Sequence, residues 1–266
     1  MKERLLVTVK TYPHPSKAYQ ELVCTAGMRE DGSFVRLYPV DFRYRPLHQW
    51  YEKYQWIEVD ITKNSKDPRP ESYRPNLDTI RILSEPLSTK NYWEERKRIV
   101  LAHPLQTMCT LRAAFDQDRT SLGIIKPQQI TELRVEPDSR EWDQKHQEAL
   151  AQYSLFDQQK KPLTKIPYRF SYRFICDDTC SGHEMTITDW ELGALYLKEV
   201  ERFGSEERAV TSVRMKFFDE ICASDRDTHF FVGTTYSVYN SWIVLGTFYP
   251  KRIPSPPTPP QGILDF

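Results

Sequence analysis

Glycine is scarce in this chain, with nine in 266 residues. The sequence contains no Walker A loop, no Gly-x-Gly-x-x-Gly, no His-Glu-x-x-His and no Gly-x-Ser-x-Gly. It therefore lacks the motifs that mark P-loop nucleotide hydrolases, dinucleotide-dependent enzymes, zinc proteases and serine hydrolases.

Excess charge and long apolar runs are missing as well. Lys plus Arg equals Asp plus Glu at 37 each, so any surface that binds nucleic acid must be local. Only five residues separate Met1-Lys-Glu-Arg from Lys10, which does not resemble a signal peptide. The five cysteines are odd in number and mostly scattered, unlike a secreted disulfide framework. We expect a cytoplasmic protein without a membrane segment.

What the sequence does have is aromatic residues and short alternating segments. Aromatic side chains make up 13% of the chain, and each large ring buries much apolar area. Residues 1–88 hold five such segments, which predict a small β-barrel or curled sheet. Residues 89–165 predict a mixed helical region and a linker. Residues 166–252 predict a strand, two helices and two strands, and residues 253–266 a proline-rich tail. The predicted fold class is α+β.

The N-terminal region resembles a known family. Val23-Cys-Thr-Ala-Gly27 precedes a hairpin at Asp31-Gly32, and Phe34-Val-Arg-Leu-Tyr-Pro39 follows it. This order of elements resembles the dual-OB-containing domain of bacterial genome-conflict proteins and mobile elements. The resemblance implies an OB-like barrel that binds nucleic acid on a β surface.

Rings and cations alternate between residues 36 and 54. Aromatic faces beside guanidinium groups are what single-stranded nucleic acid binds, because each nucleotide offers a base and a phosphate. The alternative is a loop that packs its rings on the barrel and leaves its charges in solvent. The candidate binding residues are Arg36, Tyr38, Arg43, Tyr44, Arg45, Trp50, Lys53 and Tyr54.

Two thiols and an imidazole lie within eight residues at Cys176, Cys180 and His183. They could supply three ligands of a tetrahedral zinc ion, with Cys222, His229 or an acid such as Asp178 as the fourth. Such an ion would be structural and would pin a strand to the following helix. The alternative is two buried thiols and a histidine that donates to a carbonyl.

The same neighbourhood supports a hypothesis of catalysis. His183 as a general base, with Asp178 and Asp189 as metal ligands, could cut a phosphodiester in a metal-dependent nuclease. Asp189 also has a structural explanation, because a carboxylate is favoured in the first turn of a helix. A third possibility is a nucleotide- or base-binding domain.

The tail ends in a peptide motif. Its prolines predict a semi-rigid spacer, and the residues that follow resemble the peptide by which bacterial polymerases and repair proteins hold the sliding clamp. The matching residues are Gln261, Leu264 and Phe266, and a shorter internal match has Gln152, Leu155 and Phe156. The resemblance implies a sliding-clamp partner and a DNA repair, mobile-element or phage-defence context. The alternative to this resemblance is that the tail is an untethered terminus and that the internal peptide is a surface turn.

Overall fold

The computed structural model describes residues 1–16, 19–154, 163–235 and 238–254. It confirms the α+β class. The strands are β1 (Lys2–Lys10), β2 (His14–Ser16), β3 (Gln20–Leu22), β4 (Thr25–Met28), β5 (Phe34–Leu37), β6 (Trp56–Lys63), β7 (Ser72–Ile82), β8 (Leu122–Ile125), β9 (Gln129–Pro137), β10 (Tyr168–Ile175), β11 (His183–Thr186), β12 (His229–Thr234) and β13 (Trp242–Phe248). The α-helices are α1 (Lys90–Val100), α2 (Met108–Asp118), α3 (Gln144–Ser154), α4 (Trp190–Phe203) and α5 (Glu206–Arg214), and a π-helix follows α5 at Met215–Glu220.

The N-terminal region forms a closed barrel in the order β1, β4, β5, β7, β6. Counted along the chain, the barrel strands are therefore arranged 1-2-3-5-4. The third and fifth of them, β5 and β7, pair in parallel, and every other pair is antiparallel. This is a five-stranded, OB-like barrel.

Strand β1 is buried on both faces. Leu5 and Val7 point into the barrel with Ile57, whereas Leu6 joins a second apolar cluster outside it. A register shift between Val7 and Val9 brings Val9 to the same outer cluster. Alternate residues of a strand face opposite sides, so a strand with both faces covered reads as a continuous apolar run. The second face is covered by the C-terminal part of the chain.

The C-terminal part contains two three-stranded sheets. Their orders are β11-β10-β9 and β13-β12-β8, and an isolated bridge between Ile187 and Val244 connects them. Helices α2, α4 and α5 pack on these sheets over one apolar core. Strand β9 pairs with β10 along its length, so the expected regions 89–165 and 166–252 contribute strands to one sheet.

Polar contacts also join the barrel to the C-terminal part. The Tyr12 N–H donates to the Thr188 carbonyl at 2.8 Å, and the Lys53 Nζ atom lies 2.7 Å from Asp189 Oδ1. Asp189 is the N-cap of α4, which ends at Gly204 in the left-handed conformation. None of the helices in the described ranges combines the length and apolar character of a membrane span.

Candidate functional site

A cavity of about 500 Å³ opens between the barrel and the C-terminal part. Three barrel segments line it: the connection at residues 11–24, which includes β2 and β3, the end of β5 with Tyr38, and the loop at residues 64–71. Residues of β12 and β13 close the opposite side. In an OB-like barrel the loops after the first and fourth strands are the usual ligand-binding loops, and residues 11–24 and 64–71 hold these two places.

The lining of this cavity is cationic. Arg36, Lys66, Arg69 and Arg74 contribute to it, against a single carboxylate from Asp67. Lys66 and Arg74 are exposed, whereas Arg36 and Arg69 are buried. Positive charge therefore extends from the mouth of the cavity into its wall. Tyr19, Tyr38, Pro39, Ile243 and Leu245 add rings and apolar surface.

Arg36 is 4% exposed and forms no ion pair among the described residues. Its guanidinium donates to the Ser121 carbonyl at 3.0 Å, to Ser121 Oγ at 3.1 Å and to the Thr234 carbonyl at 3.4 Å. Its Nε has no hydrogen-bond partner among the residues that the structure describes. Burial lowers the pKa of Arg36 to about 10, and the neighbouring Arg69 acts in the same direction.

Arg69 is held by a carboxylate. Its Nη2 lies 2.6 Å from Asp67 Oδ2, which also accepts from Ser72 Oγ at 2.7 Å. Burial opposes ionisation of Asp67, but these hydrogen bonds outweigh it and lower its pKa to about 2. Arg69 Nη1 donates to the same Thr234 carbonyl that Arg36 reaches, at 3.1 Å. Two guanidinium groups thus converge on one carbonyl.

Of the eight residues predicted to bind nucleic acid, Arg36 and Tyr38 line the cavity. Others serve the fold: Arg43 pairs with Glu21, and Arg45 pairs with Asp41 and Asp78.

The remaining four residues do not form one exposed face with these. Lys53 is buried against Asp189, and Tyr54 is buried among rings of α1 and β13. Tyr44 is half-buried, and Trp50, 41% exposed, donates to the Arg45 carbonyl.

The sequence reading missed Tyr19, Lys66, Arg69 and Arg74 as lining residues. The proline-containing stretch from residue 64 to 75 reads as an irregular excursion. Its place between the fourth and fifth barrel strands is the signal that could have identified it, because that loop borders the ligand site of OB-like barrels.

A second cluster gathers Cys109, Cys176, Cys180 and His183, whose ligand atoms lie within 4.8 Å of one another. Cys109 lies in the first turn of α2, Cys176 follows β10, and His183 begins β11. Cys109 Sγ is 3.9 Å from Cys180 Sγ and 3.5 Å from His183 Nε2, and Cys180 Sγ is 3.2 Å from His183 Nε2. A tetrahedral zinc ion separates neighbouring sulfur and nitrogen ligands by roughly 3.5–3.8 Å, so this group can hold a metal ion.

The fourth member of the cluster is Cys109, and not one of the three candidates from the sequence. Cys222 donates its S–H to the Phe217 carbonyl, and burial raises its pKa to about 12. The Nδ1 atom of His229 contacts the Asp227 carbonyl, and Asp178 accepts from Gln128. Within the described residues, the group around His183 contains neither Asp178, which accepts from Gln128, nor Asp189, which lies against Lys53.

Most of the clamp-like residues lie outside the described part of the chain. Leu155, Phe156, Gln261, Leu264 and Phe266 fall in the omitted ranges, and Gln152 lies in the last turn of α3.

A family profile described as a domain of unknown function (DUF8757) matches residues 104–264, and a second (DUF8758) matches residues 1–102. A search of curated proteins found no significant match. Among solved structures, a murine DNA-binding protein bound to double-stranded DNA aligns at 12% identity and a TM-score of 0.31, covering 97% of this chain and 99% of the other. The tetrameric p202 HIN2 structure aligns at 8% identity and a TM-score of 0.31, covering 95% and 92%.

Proposed function

Since the chain belongs to the family described as a domain of unknown function, DUF8757, we propose a function from its own geometry: nucleic-acid binding at the cavity on the barrel. The observation that carries this proposal is the lining of the cavity. Four cations and two tyrosines surround it against one carboxylate, between the two loops that border the ligand site of an OB-like barrel. Cations meet phosphates, and rings stack with bases.

Binding of labelled single strands of about 12 nucleotides, within the range of site sizes known for OB folds, tests this function. Lys66→Glu/Arg74→Glu reverses two exposed charges at the mouth and should weaken binding at least about tenfold, with a shallower salt dependence. The matched control, Arg81→Glu/Arg202→Glu, reverses two side chains that are 70% and 67% exposed and lie outside the cavity. Equal losses in both variants, or no binding by wild type, would refute the proposal.

We propose zinc as the ion of the Cys109, Cys176, Cys180 and His183 cluster. Three thiolates and an imidazole are a common structural zinc set with no position left for a substrate, and the cluster contains no carboxylate. The geometry therefore favours a structural ion over a nuclease centred on His183. The ion would fasten α2 to the turn between β10 and β11.

Metal analysis of the purified protein should find one zinc per chain. Cys109→Ser should lose it and lower the thermal midpoint, whereas Cys222→Ser, a cysteine outside the cluster, should keep it. Equal zinc content in the two variants would remove Cys109 from the ligand set.

We propose further that the C-terminal peptide tethers the protein to a bacterial sliding clamp, and thus to replicating or repaired DNA. The support is the Gln261, Leu264 and Phe266 pattern after a proline-rich spacer. A tether raises the effective concentration of the folded part near DNA, so its own affinity for nucleic acid can be modest.

Truncation after Pro260 should abolish binding to the clamp, whereas Gln152→Ala/Leu155→Ala should reduce it less. Unchanged clamp binding after truncation would exclude the tail as the tether.

A further inference from the structure

The buried residues of the cavity wall indicate a more specific ligand than a general cationic surface would. A buried cation without a counter-ion is unfavourable, because desolvation of its charge is not compensated. Arg36 has no carboxylate within ion-pair distance among the described residues. Glu71 reaches it only through Ser121, whose N–H and Oγ donate to the two Glu71 carboxylate oxygens at 2.9 Å each and whose Oγ accepts from Arg36 Nη2 at 3.1 Å.

Arg69 and its carboxylate Asp67 lie beside Arg36, and the two guanidinium groups meet at the Thr234 carbonyl. Glu71 keeps its negative charge while it accepts from Ser121, so the two guanidinium groups and the two carboxylates balance. The excess positive charge of the lining comes from Lys66 and Arg74 at the mouth. An anionic group of a ligand in the cavity would meet this excess and supply the partner that Arg36 Nε lacks within the described part of the chain.

The rest of the lining suits a flat, largely apolar group. Tyr38 and Pro39 directly follow β5, the strand that carries Arg36. Ile243 and Leu245 of β13 line the same cavity. The volume of about 500 Å³ falls within the range of small-molecule sites. It accommodates one nucleotide and not a run of stacked bases.

We propose that the cavity holds a single nucleoside monophosphate unit, with its phosphate at Arg36 and its base against Tyr38. This inference rests on the proposed nucleic-acid function and specifies its ligand. The unit is either a free nucleotide or the terminal nucleotide of a strand, since both present the same chemistry.

The test compares ligands on the wild-type protein. Oligonucleotides with a 5′-phosphate, a 3′-phosphate or hydroxyls at both ends are titrated, together with the four ribonucleoside monophosphates and their nucleosides. We expect a phosphate at one end, or on the free nucleotide, to tighten binding at least about tenfold, because a charge-assisted hydrogen bond forms with Arg36. If nucleoside monophosphates bind more tightly than their nucleosides, the ligand is a free nucleotide. If only phosphorylated strands bind more tightly, the ligand is the end of a strand.

Arg36→Lys keeps a positive charge but loses the planar donor fork, and it should reduce the phosphate-dependent gain to less than about twofold. Lys66→Glu/Arg74→Glu should instead weaken the binding of strands with a terminal phosphate and of strands without one by the same factor. If Arg36→Lys does not fold, the ligand comparison on wild type still decides.

Strands that bind equally well with and without a terminal phosphate, while nucleotides do not bind, would overturn the inference and leave the proposed function intact. Absence of binding by every ligand would overturn both.

Discussion

At the scale of single residues, the Lys53–Asp189 pair joins the barrel to the C-terminal part. Lys53 Nζ lies 2.7 and 2.8 Å from the two Asp189 oxygens, and both side chains are almost fully buried. Removing Asp189 leaves the Lys53 ammonium buried, with only an exposed carboxylate, that of Glu191, nearby. We expect Asp189→Asn to lower the free energy of unfolding by about 3–5 kcal/mol in urea titrations. Asparagine is also a favoured N-cap residue, so this loss measures the removal of the Asp189 charge and not the loss of a helix cap.

Glu191 offers a matched control for that prediction. Its carboxylate lies 3.3 Å from the same Lys53 nitrogen, but the side chain is 56% exposed. Glu191→Gln should cost about 0–1 kcal/mol, as exposed ion pairs do. Similar losses of unfolding free energy in the two variants would show that burial does not determine how much the Lys53–Asp189 pair stabilises the fold.

Lys10 links stability to pH. Its ammonium lies 4.2 Å from the centre of the Phe42 ring and 4.7 Å from that of Trp190. Burial lowers its pKa from 10.5 to about 8, Lys53 acts in the same direction, and the carboxylates Glu191, Glu52 and Asp189 oppose the shift.

Between pH 8 and 10.5 the unfolded chain therefore holds the Lys10 proton while the folded protein releases it. The free energy of unfolding should rise with pH in this window. Relative to Lys10→Met, wild type should gain about 2 kcal/mol between pH 7.5 and 10, measured by urea unfolding. Parallel pH profiles for the two proteins would contradict this. Other groups titrate in both proteins and cancel in the difference.

The sequence identifies some of these residues and misses their partners. Asp189 is predictable as a residue at the start of a helix, because a carboxylate is favoured at that position. Its ion pair with Lys53 is not, since 136 positions separate them. Cys109 is a second example of a partner that the sequence does not identify. Cys176, Cys180 and His183 are neighbours in sequence, but Cys109 lies on α2, and spacing along the chain does not predict that α2 packs beside them.

At the scale of elements, helix α2 packs on strand β8 through a glycine. A Cβ at Gly123 would lie 2.6 Å from Leu111 Cδ1 and 2.8 Å from Cδ2, and Leu111 is fully buried. Gly123→Ala should therefore lower the free energy of unfolding by about 1–3 kcal/mol through overpacking. In a Leu111→Ala background the space exists, so the same change should cost little.

A double-mutant cycle of Gly123→Ala and Leu111→Ala measures this contact. The expected coupling is about 0.5–3 kcal/mol, and additive effects would mean that α2 shifts freely away from β8.

Alternation predicts the barrel strands with the strongest pattern but not their full extent. Strand β7 runs from Ser72, although only its end near Thr79 reads as a strand. Pro75 and Asn76 interrupt the pattern, and much of β7 is exposed on one face, so no apolar stripe marks it. The two faces of β1 illustrate the opposite case: its apolar run predicts burial but does not show what covers the second face.

At the scale of the whole molecule, the barrel and the C-terminal part share a core. One apolar cluster combines Leu6, Met28 and Trp56 of the barrel with Phe231 and Phe248 of the C-terminal sheets. Neither part covers these side chains alone. The OB-like barrel is predictable from its own strands, whereas the cavity is not, because Thr234, Ile243 and Leu245 complete it from far along the chain.

This shared core predicts one cooperative unfolding transition. Native-state hydrogen exchange in low urea should give amides of β6 and β12 the same free energy of opening, because opening either part exposes the common apolar cluster. Asp189→Asn should lower both values by the same amount. If β12 exchanged while β6 stayed protected, the barrel would be an independent folding unit. The cavity between the two parts would then open without loss of the barrel, and ligands would enter by separation of the parts instead of through the cationic mouth at Lys66 and Arg74.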